Sequence, residues 1–254
     1  MRQARAAATR SSSRQTVVPE IGAPVEVRRH PAARRMTLRV SRTNHVVIVT
    51  VPTQCNDTDA QGFLNSNLDW VKKRLDDLPS PTRLKNGCEM PLRGVVHRIV
   101  FTGVRSGRGA RVVTRVAGGA GRLPELHVSG DLEHASRRLA DWLFAEARRD
   151  LDAAVSHHAR RLNLAPKRIA IRDQSTRWGS CSTTRVLSFS WRLVLAPPLV
   201  LDYVAAHEVA HLAEMNHGPR FWALVARTMP RLEEAKRWLQ LHGIELHRYQ
   251  LPAR

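Results

Sequence analysis

Leu201-Asp202-Tyr203-Val204-Ala205-Ala206-His207-Glu208-Val209-Ala210-His211 is the stretch on which the reading of this chain turns. Residues four apart on an α-helix are rotated by about 400°, so His207 and His211 project to one side, one turn apart. Two neutral imidazoles at that spacing can grip one zinc ion at about 2.0–2.1 Å. Glu208 follows His207 by about 100°, beside the metal, where a carboxylate can take a proton from water instead of ligating. The flanks Leu201, Val204, Ala205, Ala206, Val209, Ala210 and Leu212 make the helix apolar nearly all round. Burying two histidines and a glutamate there without partners would be costly, and a zinc ion satisfies all three. With 12 histidines in the chain, H-E-x-x-H arises by chance in roughly 2% of such sequences, rare enough for the motif to carry weight.

A catalytic zinc site has three protein ligands and leaves one position for water. His217 is the first candidate for the third ligand and Glu214 its competitor. On an unbroken helix Glu214 would share the face of His207 and His211. His217 would then point roughly 120° away. Asn216, Gly218 and Pro219 are clustered breakers, and Asn and Gly tolerate the left-handed turn that closes a helix. That places the turn at Met215 or Asn216 and swings His217 back to the metal. The expected site is therefore His207, His211 and His217 around zinc, with Glu208 catalytic and Glu214 on or behind the helix surface. Arg177-Trp178-Gly179-Ser180-Cys181-Ser182 reads as a tight turn whose Trp packs on that helix. Alternatively it is a cleft wall, with Arg177 or Arg192 steadying an oxyanion. Cys181 reads as a small buried residue, and Phe221, Trp222 and Val225 as core at helical spacing.

Outward from the motif, the 254 residues divide by composition. Residues 1–23 read as a disordered basic tail, with no apolar run of the kind a secretory leader needs. Residues 24–130 read as a β-rich portion. Its strands lie near 24–28, 36–40, 46–51, 95–101, 111–116 and 123–128, interrupted by one helix from Asp57 or Thr58 to Leu78. Residues 131–254 read as the metal-bearing portion. It holds a long helix to Leu162, a short strand at 168–173, a longer one at 186–195, and helices opened by Pro198, Pro219 and Pro230, the last closed by Gly243. The fold class is α+β. No run approaches the ~18 apolar residues of a spanning helix. Cys55, Cys88 and Cys181, with no C-x-x-C, suit a reducing, cytoplasmic setting and exclude a thiolate zinc finger. The net charge of +19, from 41 Lys+Arg against 22 Asp+Glu, favours non-specific contact with polyanions. Arg28, Arg29, Arg34, Arg35, Arg39, Arg42, Arg105, Arg108, Arg111 and Arg115 are the candidate surface, and the alternative is a solvated basic face.

Four segments together resemble the YgjP-type zinc metallopeptidase family: Arg177 to Ser182, Leu187-Ser188-Phe189-Ser190-Trp191-Arg192-Leu193, Tyr203 to His211, and Asn216-His217-Gly218-Pro219-Arg220-Phe221-Trp222. The likeness spans roughly residues 25 to 245, less distinctively in the first part. In layout it extends to the SprT and WLM domains, some of which act on proteins bound to DNA. It implies a zincin-like second half with a short sheet on the H-E-x-x-H helix. It further implies His207, His211 and His217 as zinc ligands, Glu208 as general base, and a protein or peptide substrate. Two other classes keep the metal: a nucleotide or phosphoester hydrolase, and a nucleic-acid-binding module with structural zinc.

Overall fold

The structure, a computed structural model, describes residues 13–43, 45–104 and 111–252, with side chains from residue 20. The chain divides into two compact units, Met1–Pro79 and Ser80–Arg254.

In the first unit, β1 (Ser13–Val18), β2 (Ala23–Arg29), β3 (Thr37–Val40) and β4 (Val47–Val51) form a sheet of order β1-β2-β4-β3. The β2–β4 pair is parallel and the outer pairs are antiparallel. Val47, Val49 and Val51 are fully buried, in a core shared with Leu64 and Val71. The expected tail therefore ends early. Residues 1–12 lie outside the described residues, but Thr16-Val17-Val18 is a β-branched run that pairs back on Ala23-Pro24-Val25. The expected single helix is two, α1 (Asp57–Asn65) and α2 (Leu68–Asp76). Between them Ser66 donates its hydroxyl to the Gly62 carbonyl at 2.9 Å, and Asn67 its amide to the Phe63 carbonyl at 2.7 Å. Such side-chain bonds compete with the helical ladder.

The second unit opens with β5 (Thr82–Arg83), β6 (Glu89–Leu92), β7 (Val95–Phe101), β8 (Val113–Val116) and β9 (Glu125–Val128). The 31-residue α3 (Leu132–Leu162) follows. The sheet β6-β7-β9-β8 buries Leu92, Ile99, Leu126 and Val128 against Leu139 and Leu143 of α3. This shared core is why the division falls at residue 79 and not near 130. The change from strands to helices at 130 is a change of element type inside one unit. Next come β10 (Arg168–Arg172), β11 (Gly179–Cys181), β12 (Val186–Ser190), a 3-10 turn at Trp191–Val194, α4 (Pro198–Ala210), α5 (Pro219–Thr228), α6 (Leu232–Leu246) and β13 (Tyr249–Gln250). Strand β12 is central in β10-β12-β11, parallel to β10 and antiparallel to β11. The strand expected to reach Leu195 ends at Ser190, whose hydroxyl accepts from the Arg192 N–H and starts the 3-10 turn. Gly243, expected to close the last helix, lies inside α6 and is buried. No helix among the described residues is long and apolar enough to cross a membrane.

Candidate metal centre

Helix α4 begins at Pro198, where a missing N–H costs nothing. It buries Val200, Leu201, Tyr203 to Ala206, Glu208, Val209 and Ala210. His207, and His211 just past the helix end, are half-buried, as are Leu199 and Asp202, and Pro198 is exposed. The helix ends at Ala210, earlier than the expected turn at Met215 or Asn216. The Ala213 and Glu214 N–H groups both donate to the Ala210 carbonyl at 3.0 Å. No residue from 211 to 218 has a positive φ, so the turn needs no left-handed residue. The unbroken helix that would have kept Glu214 on the histidine face does not exist.

This early turn brings His217 to the other two. Their donor nitrogens lie within 4.8 Å of one another. The ring centroids form a near-equilateral triangle: 4.9 Å for His207–His211, 5.0 Å for His207–His217 and 4.7 Å for His211–His217. His207 Nε2 and His217 Nε2 face each other at 3.0 Å. Phe221 of α5, fully buried, lies 4.5–4.8 Å from all three rings. Phe221, expected in the core, also lies against the triangle; because His217 lies outside α5, helical spacing gave no signal for this contact.

Burial lowers His207 to about 4, reinforced by His211 and His217. Burial also lowers His211, although its bond to the Glu214 carbonyl opposes the shift. Neutral rings keep lone pairs free. His211 Nδ1 lies 3.0 Å from the Glu214 carbonyl oxygen. A carbonyl only accepts, so Nδ1 carries the proton and Nε2 is left as donor to a cation. Glu214 thus contributes its backbone, and its carboxylate is outside the converging group. His207 Nδ1 is buried without a hydrogen-bond partner among the described residues, as is Glu208 Oε2. Three convergent imidazoles beside a carboxylate oxygen without a hydrogen-bond partner among the described residues fit a divalent cation of nitrogen preference.

Glu208 is 5% exposed. Burial pushes its carboxyl up to about 8, against the opposing charge of exposed Arg177. Arg192 is not at the cleft. It is 1% exposed, pairs with Asp173 and donates to the Tyr249 carbonyl at 2.9 Å. Cys181 is half-buried; burial first, then Glu208, raises its thiol. The three cysteines are free. Of the expected basic surface, Arg28 pairs with Glu26, Arg29 with Asp57 and Arg115 with Glu146. Arg105 and Arg108 lie outside the described residues.

The second unit's mixed α+β build, with small sheets and helices, is consistent with a metallopeptidase domain. Residues 34–242 match the YgjP-like family, metallopeptidase domain, and the chain belongs to that family. No curated protein gives a significant match. Among solved structures, the crystal structure of the metallopeptidase zymogen of Pyrococcus abyssi abylysin is similar at 19% identity and a TM-score of 0.34. The likeness covers 40% of this chain and 99% of that one, and is too remote to bear on the argument.

Proposed function

We propose that this chain is a zinc-dependent peptidase, with His207, His211 and His217 as the ligands, Glu208 as the general base and a zincin-like arrangement around them. The observation that carries this reading is the convergence of three imidazoles beside a buried carboxylate whose Oε2 has no hydrogen-bond partner among the described residues. When bound, zinc supplies a Lewis acid for the scissile carbonyl and acidifies water. Glu208 takes the proton of the attacking water on its carboxylate and returns it to the leaving amine. A carboxyl poised high by burial is drawn back toward the ionised form by a cation beside it. Arg177, whose charge reaches Glu208, is the cation available to steady the developing oxyanion. The converging group has three members among the described residues, fewer than the four that close a structural zinc site. Family membership makes protein or peptide the substrate class, and the free thiols suit the cytoplasm. The test is zinc content and casein or peptide cleavage of wild type and Glu208→Gln, with nucleoside triphosphate hydrolysis in parallel. Glu208→Gln should keep near-stoichiometric zinc and lose turnover by orders of magnitude. Full turnover would overturn the role of Glu208, and triphosphate hydrolysis without peptide cleavage would overturn the substrate class.

A further inference from the structure

We infer that Gly179 is the positioning residue for Glu208: the side chain it lacks is the space in which the Glu208 carboxylate is held. A methyl group built at Gly179 would lie 2.5 Å from Glu208 Oε1, 2.6 Å from Cγ and 2.8 Å from Cδ. Carbon atoms in ordinary contact stand about 3.5–4.0 Å apart. Nothing in the backbone asks for glycine here. Gly179 does not have the positive φ that marks Gly94 or Gly130; it sits in β11, opposite Phe189. Its requirement is for room alone, and the atoms that need the room belong to Glu208.

The fit matters because hydrogen bonding among the described residues does not hold Glu208 Oε2. Glu208 Oε2 is buried without a hydrogen-bond partner among the described residues, so contact with the β11 backbone fixes its direction. That backbone is pinned in turn. The Trp178 carbonyl accepts from the Ser190 N–H at 2.9 Å. The Trp178 ring stacks on buried His247 at 4.8 Å. It also touches α6, where a methyl built at Gly243 would meet Trp178 Cζ2 and Leu239 Cδ1 at 3.3 Å. A glycine inside a helix is less favourable than alanine, and here it lets the indole approach. Gly243, Trp178, Gly179 and Glu208 form one line of contact from the last helix to the carboxylate.

The role rests on the proposed part played by Glu208, and two measurements separate them. The first needs neither metal nor turnover. Gly179→Ala should lower the thermal midpoint by several degrees in the wild-type background, as overpacking does. With Glu208→Ala, which removes Cγ, Cδ and Oε1, the same substitution should cost almost nothing. If Gly179→Ala fails to fold and Gly179→Ala/Glu208→Ala recovers, the same coupling is seen in stronger form. Equal losses in both backgrounds, or failure to fold in both, would show a backbone requirement and overturn the inference. The second measurement is kinetic. Gly179→Ala should keep its zinc and its KM while kcat falls about a hundredfold, the cost of a displacement near 1 Å. Unchanged kcat overturns the positioning role even if the packing coupling is found. Full turnover by Glu208→Gln would instead remove the reading of Glu208 and leave that coupling standing.

Discussion

His211 carries two functions in the turn that follows α4. Its Nδ1 side holds the Glu214 carbonyl at 3.0 Å, and in the proposed site its other nitrogen would face the metal. The turn and the third imidazole are thereby linked. Removing His211 should cost both zinc and stability, since binding free energy becomes folding free energy. Zinc content also decides between the two third ligands. His217→Ala should lose zinc while Glu214→Ala retains it, because the backbone carbonyl, not the carboxylate, is what Glu214 supplies. The reverse result would assign the ligand to Glu214. The His207–His211 pair was legible in the sequence because helical periodicity is local, whereas the turn that carries His217 comes earlier than its breakers indicated. The close approach of Gly179 to Glu208 was not legible, because nothing local distinguishes a glycine chosen for space from one chosen for a turn. Arg192 could be read as a cleft residue only while its distant partners Asp173 and Tyr249 were unseen.

At the scale of elements, α3 is organised around one carboxylate. Glu146, 6% exposed, receives Arg93 at 2.9 Å, Arg115 at 2.6 Å and Arg149 at 2.5 Å. Arg93 comes from the β6–β7 turn and Arg115 from β8, so the cluster ties that sheet to the helix. Burial alone would raise the Glu146 carboxyl, but Arg93, Arg149 and Arg115 outweigh it and hold it below the ordinary carboxylate range. A folded value below the unfolded one means stability that is present above the unfolded value and lost as pH falls through the folded one. Denaturant unfolding at stepped pH should therefore show stability falling on the acid side. Glu146→Gln should flatten that limb and cost roughly 2 kcal/mol at neutral pH, by loss of charged hydrogen bonds. An unaltered acid limb in the variant would reject this role. Strands β2, β4, β7 and β10 and helices α3 and α4 were readable from alternation, 3.6-residue spacing and prolines. The α1–α2 break and the helical place of Gly243 were not, since side-chain back-bonding and a distant indole decide them.

At the scale of the molecule, composition suggested a boundary near residue 130, whereas packing sets it at 79. Periodicity reports what each segment is, and only contact reports which segments share a core. The 41 Lys+Arg behind the net charge of +19 were also plain in the sequence, but not which of them sit in internal pairs such as Arg93 with Asp150 at 2.7 Å. The tip of the β6–β7 turn has a further consequence. Its Arg93 and Gly94 N–H groups donate to the Val194 and Leu195 carbonyls at 2.8 and 3.0 Å, just ahead of α4. Partners so far apart along the chain must close a loop of roughly a hundred residues before either bond forms, an entropy cost that slows their arrival. During refolding α3, with its local contacts, should form early, and the seat of α4 late. In stopped-flow refolding with a zinc indicator, metal uptake should trail the far-ultraviolet helix signal. Uptake in step with helix formation would mean that α4 finds its seat without the turn.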